Sequence, residues 1–312
     1  MTDGLPPGAH PPATFDDEDE STSIVGSADV GGFFGGRFRI DERLGTGAMG
    51  RVLSALDTHT GQLVALKVLH RDRSKDPDVL RRFGREARAL SAIAHPAIVG
   101  IVASGRAPDG TPWLAMEHLV GTTLKDRMRL GGPMSVAELW PIMKTLAEAM
   151  AAAHAAGVVH RDLKPENVLL PAQPPPIAKI LDFGLSSLSR ENERVTKTGE
   201  VLGTPRYMAP ELLTSSKKPD HRVDVFALGV IAFEALTGKS MYTADDLGSL
   251  FGQILEGRTQ SLRSLRPDLS DTMEGLLQQA TARDADERFG SVTAFVTAFG
   301  HASGFHDAPA PP

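Results

Sequence analysis

Cysteine is missing from all 312 residues. That absence excludes disulfides, thiolate zinc sites, iron–sulfur clusters and thiol nucleophiles together, and it leaves no sign of an oxidising compartment. No run reaches about 18 uninterrupted apolar residues, so the sequence offers nothing to span a bilayer. The opening stretch, residues 1–20, lacks both the basic region and the apolar core of a secretory signal. Basic charge is also scarce. Lys and Arg number 33 against 39 Asp and Glu, a formal net charge of −6, whereas sequence-independent nucleic-acid binding needs a basic footprint. Aromatic residues make up only 5% of the chain, but the hydrophobic share is 41%, a normal globular proportion. What remains is a soluble globular protein of a reducing compartment, with neither membrane nor nucleic acid as partner. Its length suits roughly two domains or one two-lobed unit.

Residues 1–36 mix Pro, Gly and Ser with the acidic run Asp16, Asp17, Glu18, Asp19 and Glu20. So little apolar surface cannot offset the entropy of ordering, which predicts a disordered leader. Its end, Gly31-Gly32-Phe33-Phe34-Gly35-Gly36, reads as a flexible joint, and 301–312 as a short flexible tail. From Arg37 to Leu119 the pattern is of short strands, expected at Phe38–Arg43, Arg51–Leu56, Gln62–Leu69, Ile98–Ser104 and Pro112–His118. Turn residues at Asp57–Gly61 and Ala107–Gly110 separate them. One helix, Pro77–Ile93, interrupts the set, with Asp76 as N-cap, Pro77 at its first position and Leu80, Phe83, Ala87 and Leu90 on one face.

After residue 120 the pattern turns helical. Ser135 and Glu138 have capping-box spacing ahead of a long helix that ends near Gly157, and Pro141 falls early within it. Val223–Leu236 is apolar nearly all round, as in a helix buried on every side. The pattern predicts an α+β protein, a small sheet-rich lobe (37–119) followed by a larger helical lobe (120–300).

Three stretches carry chemistry. In Leu44-Gly45-Thr46-Gly47-Ala48-Met49-Gly50-Arg51-Val52 the glycines permit close approach of backbone to phosphate, since no Cβ blocks it. Alone the spacing also fits a dinucleotide site, but that site needs a helix opening at the third glycine. Here a strand follows Gly50, so the run reads as a lid over phosphates. Lys67 lies mid-strand in Val64-Ala65-Leu66-Lys67-Val68-Leu69, either as a surface lysine of an edge strand or as a buried ammonium needing an anionic partner. Glu86 in the following helix is the natural partner, although Arg82 offers it a surface pairing instead. The polar cluster His160-Arg161-Asp162-Leu163-Lys164-Pro165-Glu166-Asn167 is wedged between apolar flanks, and Lys179-Ile180-Leu181-Asp182-Phe183-Gly184 ends another apolar strand on a carboxylate. Mg²⁺ favours one or two carboxylates with phosphate oxygens and water, and Asp182 with Asn167 supply such a set.

Taken in order with Ala209-Pro210-Glu211, these runs resemble the motif set of the eukaryotic-type serine/threonine protein kinases, here of the bacterial kind. The resemblance covers about Arg37 to Phe299 and implies the two-lobed protein kinase fold. It implies that Leu44, Gly45, Gly47, Gly50, Val52, Ala65, Met116, Glu117 and Leu119 surround ATP, with Met116 at the back of the adenine pocket. Lys67 would hold the α/β-phosphates and pair with Glu86. Asp162 would accept the proton of the substrate hydroxyl, Lys164 would steady the γ-phosphate, and Asn167 and Asp182 would bind Mg²⁺. Asp224 would brace the catalytic loop, and Arg288 would pair with Glu211.

Lys164, two residues beyond Asp162, is as in kinases that act on Ser and Thr of proteins, and Thr204 matches the threonine that lines the substrate side. The hydroxyl-rich run 186–198 is either plain solvated loop or an activation loop. In the second reading Thr196 and Thr198 resemble the autophosphorylated pair of bacterial kinases, with Arg161 placed to receive a phosphate. Two rivals stand beside this reading. One is a pseudokinase scaffold that transfers nothing, and the other is a protein whose acidic leader is the working part, a docking tail. If complete as given, the chain implies a cytoplasmic enzyme.

Overall fold

The computed structural model describes residues 30–47, 50–70, 80–81, 83–84, 87, 90–91, 93–175, 177–182, 205–214 and 219–305. The chain divides into two compact units, 1–94 with 100–119, and 95–99 with 120–312.

The first unit is built on an antiparallel sheet in the order β1-β2-β3-β4-β6-β5. Its strands are β1 (Phe33–Phe34), β2 (Phe38–Thr46), β3 (Gly50–Asp57), β4 (Gln62–Leu69), β5 (Ile101–Arg106) and β6 (Pro112–Glu117). Strand β1 corrects the flexible-joint reading. Phe33 and Phe34 pair with Arg39 and Phe38, and Phe34 is buried. Two adjacent aromatic residues carry enough apolar surface to zip onto the neighbouring strand. Gly35 and Gly36 make the turn at φ 58° and 71°, a region that glycine enters without steric cost.

Alternation along the strands sends Leu53, Ala55, Val64, Leu66, Val68, Trp113 and Ala115 into one core with Phe34, Phe38 and Ile40. Asp57 closes that side. Its carboxylate takes both arms of the Arg37 guanidinium at 2.9 and 2.8 Å, and Arg37 in turn lies over the Phe38 and Trp113 rings. This hydrogen-bonded cation holds the Asp57 carboxyl below the usual carboxylate range. Helical residues 80, 81, 83, 84, 87, 90 and 91 match the middle of the expected helix, and Phe83, Ala87 and Leu90 are buried as the spacing predicts. Its expected N-terminus, Asp76 and Pro77, lies outside the described residues.

The second unit holds a small sheet, β7 (Gly121–Thr123), β8 (Val168–Pro171) and β9 (Lys179–Ile180), and a set of helices. The strand expected over Ile98–Ser104 is divided between the units. Ile98 makes a parallel bridge to Ile180, and the Val99 amide donates to the Ile180 carbonyl at 2.9 Å, whereas β5 begins at Ile101. Local alternation cannot separate these two pairings, because it records burial and not the partner.

Helix Val136–Ala155 begins as its capping pattern requires, the Glu138 amide donating to Ser135 Oγ at 3.2 Å. The Glu138 carboxylate forks onto Arg127 at 2.7 Å on each arm. Helix Arg222–Thr237 is buried at every position from Val223 to Thr237, the outcome its all-round apolar sequence predicts. It packs against helix Asp271–Ala280, and at Gly229 a Cβ would come within 2.8 Å of Thr281. Only glycine permits that approach.

Candidate active site

Within the first unit, strand register decides which side chains share a face. Gly45 pairs with Val52, Val52 with Lys67, and Lys67 with Leu114, while Ala65 pairs with Met116. Directly paired residues in an antiparallel ladder point to the same side, and so do residues two apart on one strand. Gly45, Val52, Ala65, Lys67, Leu114 and Met116 therefore share the face opposite the Leu66–Trp113 core. Lys67 is buried at 7% exposure, which rules out the surface-lysine reading. Glu86, its expected partner, lies outside the described residues.

The three glycines of the loop differ in purpose. A Cβ on Gly50 would sit 2.0 Å from the Val68 carbonyl oxygen, so glycine is required there by the fold itself. Among the described residues a Cβ at Gly45 would meet nothing within 4 Å, and at Gly47 only the Gly50 carbonyl at 4.0 Å. Those two positions leave open space, which suits a ligand. Gly47 and Gly50 close the tip by exchanging N–H···O bonds of 2.9 and 3.3 Å. Leu44 is exposed, and Glu117 and Leu119 are half-buried. The Glu117 amide already donates to the Gly100 carbonyl at 2.9 Å, and its carboxylate accepts from the Gly100 amide at 2.6 Å.

The second unit assembles the other half of the expected residues around the buried carboxylate of Asp224. Asp224 Oδ1 accepts the Arg161 amide at 2.8 Å, and Oδ2 accepts the His160 amide at 3.0 Å and His154 Nε2 at 2.7 Å. These bonds hold Arg161 at φ 64°, a left-handed conformation that costs a side-chain-bearing residue roughly 1–3 kcal/mol unless its surroundings impose it. The kink delivers Asp162, whose Oδ2 accepts from Lys164 Nζ at 3.0 Å. Asn167 Nδ2 donates to the Asp162 carbonyl at 2.9 Å, and the Leu181 amide donates to the Asn167 carbonyl at the same distance. Because Val168 pairs with Ile180, continuing that ladder sets Asn167 beside Leu181 and brings Asp182 next to it.

The side-chain oxygens offered here suit a hard cation. Among the described residues no group of three or more His, Cys, Asp or Glu is placed to hold a metal by itself. Mg²⁺ keeps water and phosphate oxygens alongside one or two protein ligands, and the amide oxygen of Asn167 with the carboxylate of Asp182 is a donor set of that chemistry. His154 escaped the sequence reading. Its only signal was a histidine among alanines in the last turn of the long helix.

A further polar pair, also unforeseen, lies where the chain leaves the expected activation loop. Tyr207 donates its hydroxyl to Glu234 Oε2 at 2.6 Å, and burial pushes the carboxyl of Glu234 and the phenol of Tyr207 above their ordinary values. Arg288 forks onto Glu211 at 2.8 Å on each arm, the pairing the resemblance implied. Phe183, Gly184, Thr196, Thr198 and Thr204 lie outside the described residues.

His160 is fully buried, and desolvation pushes its imidazole below the ordinary histidine value, against the pull of Asp224, Asp162 and Asp182. The ring is therefore neutral in the fold. Below about pH 6.5 the unfolded chain takes up a proton that the folded chain does not, so this residue makes stability fall as pH drops. Urea unfolding of wild type and His160→Gln at pH 7.5 and 5.5 should show a larger acid loss in the wild type. Equal losses would mean that His160 is not the proton-binding group.

Comparison with known proteins agrees with this geometry. The family model for the protein kinase domain matches residues 38–299. The chain is 36% identical over 262 residues to serine/threonine-protein kinase Pkn1 of Myxococcus xanthus, covering 83% of this chain and 37% of that protein. It is 33% identical to the probable serine/threonine-protein kinase PknB of Lactococcus lactis, covering 86% of this chain and 42% of the relative. The crystal structure of the Mycobacterium tuberculosis PknI kinase domain superposes with a TM-score of 0.70 at 28% identity, covering 90% of this chain and all of that one. A structure of Rad53 in complex with AMP-PNP gives a TM-score of 0.68 at 25% identity, covering 83% of this chain and 64% of that one. The chain belongs to the protein kinase domain family and has the protein kinase fold. It spans less than half the length of the curated relatives it matches. Among the described residues no helix is long and apolar enough to cross a membrane.

Proposed function

We propose that this chain is an ATP-dependent serine/threonine protein kinase that transfers the γ-phosphate of Mg-ATP to hydroxyl groups of proteins. In this reading 37–119 and 120–300 are the two lobes of one kinase domain. The observation that carries it is the fastening of Asp162, Lys164 and Asn167 to one another on a loop held by Asp224, with Asp182 following directly on Leu181, whose amide donates to the Asn167 carbonyl.

Phosphoryl transfer asks a protein mainly to position groups and to neutralise charge. Gly45 and Gly47 leave room for phosphate oxygens, and the Lys67 ammonium offsets their charge. Val52, Ala65 and Met116 supply an apolar wall for the base. Asn167 and Asp182 would hold Mg²⁺, which when bound draws charge from the β- and γ-phosphate oxygens. Asp162 orients the acceptor hydroxyl and takes its proton as the oxygen bonds to the γ-phosphorus and the bond to the β-phosphate oxygen breaks. Lys164 stabilises the transferring group. The lysine two residues after Asp162 supports Ser and Thr as acceptors, and the same reading includes Thr204 at the substrate, autophosphorylation at Thr196 or Thr198 and action in the cytoplasm.

The test is transfer of label from γ-labelled ATP with Mg²⁺ to a generic Ser/Thr protein by the purified chain, with Asp182→Asn alongside. Labelled phosphoserine or phosphothreonine from the wild type, reduced at least 100-fold in the variant, is expected. Mapping of the label on the kinase itself should find Thr196 or Thr198. Equal incorporation by both proteins would trace the signal to a contaminant and end the proposal.

A further inference from the structure

His70 follows directly on the strand that carries Lys67, and its Nε2 lies 3.1 Å from the Gly47 carbonyl oxygen at the tip of the glycine loop. A carbonyl can only accept, so the ring donates from Nε2. We propose that His70 is a positioning residue for nucleotide binding, tying the glycine loop in the conformation that receives the phosphates. This inference rests on the kinase reading above.

The loop needs such a tie. Glycine gives it backbone freedom, and freedom must be surrendered when a ligand orders the loop. Among the described residues Gly45 has no neighbour within reach of a Cβ and Gly47 almost none, so at these two positions packing adds little hold. The reciprocal Gly47–Gly50 bonds tie one side of the turn to the start of β3. His70 adds a side-chain tie from a second strand, because it stands at the end of β4, paired along its length with β3 and on its other side with β6. A bond from this framework to the tip lowers the ordering cost left for the ligand. It also engages a carbonyl oxygen whose lone pairs would repel a phosphate if turned towards it.

The consequence is selective. Adenosine touches the apolar wall of Val52, Ala65 and Met116 in this reading, whereas only the phosphates need the loop. Titration calorimetry with Mg-ATP and with adenosine should compare wild type, His70→Leu and His70→Gln, thermal unfolding being measured on each. Loss of one hydrogen bond of ordinary net strength predicts a rise in Kd for ATP of about 3- to 10-fold in His70→Leu. Adenosine affinity should stay within about twofold, and His70→Gln, whose amide nitrogen can donate from a similar place, should recover most of the ATP affinity. Three results overturn the assignment: unchanged ATP affinity in His70→Leu, an equal loss for adenosine and ATP, or a His70→Gln variant no better than leucine. A wild type that binds adenosine and ATP with the same affinity, or neither, removes the kinase reading itself.

Discussion

Asp162→Asn should lower turnover by about 10²- to 10⁴-fold, the usual contribution of a positioned proton acceptor, with little change in thermal unfolding. Asn167 reaches the backbone carbonyl of residue 162, not its side chain, and an asparagine oxygen can still accept from Lys164 Nζ, which now lies 3.0 Å from Oδ2. The variant should therefore keep the loop and lose the base. Steady-state phosphorylation of a protein substrate at saturating ATP, alongside a melting curve, separates the two effects. Turnover within tenfold of wild type would assign proton acceptance elsewhere, and a large drop in melting temperature would show Asp162 to be structural.

Asp224→Ala should be the more damaging change, because it removes an acceptor and leaves three donors behind. The His160 and Arg161 amides and the His154 ring all give to this carboxylate, which is fully buried. Stripping a buried charged group from its partners typically costs about 3–5 kcal/mol. The second consequence is geometric. Arg161 holds φ 64° against its own steric preference, and removing the Asp224 oxygen that accepts its amide lets the peptide entering Asp162 relax. Urea unfolding should record the stability loss, and turnover should fall at least 100-fold at denaturant-free, fully folded concentrations. Asp224→Asn keeps one acceptor oxygen and should fall between the two. Should Asp224→Ala fold and turn over like wild type, the carboxylate has no hold on the loop.

Much of this architecture could be read from residue order alone. The buried helix at Arg222–Thr237 announces itself because every turn is apolar, and Ser135 marks a helix start because a hydroxyl there satisfies an orphan amide. Strands β2, β3, β4 and β6 fall within a few residues of expectation, since each has a wet and a dry side or a plain turn beside it. Local pattern fails where pairing with a partner, and not alternation along the chain, makes the element. Phe33 and Phe34, set among glycines, look like linker until β2 is beside them. Ile98 and Ile101 lie three residues apart yet serve different units. The residues of the proposed site follow the same rule. Lys67, Asp162, Asn167 and Asp182 stand in runs with a recognisable order, but His154, His70 and Tyr207 act through partners 70, 23 and 27 residues away. A single histidine or tyrosine carries no mark of such a pairing.

The Arg37 clasp bears on where this protein can safely be cut. The family match starts at residue 38, and a chain trimmed to that boundary would discard both the guanidinium and the Phe33–Phe34 strand. Asp57, with no solvent exposure of its own, would then face its surroundings as an uncompensated anion, and the Phe38 and Trp113 rings would lose the cation lying over them. A fragment that keeps this clasp, the Phe33–Phe34 strand and the backbone bonds of Gly31 and Gly32 to Ile40 therefore begins upstream of the boundary that family resemblance draws, at or before Gly31.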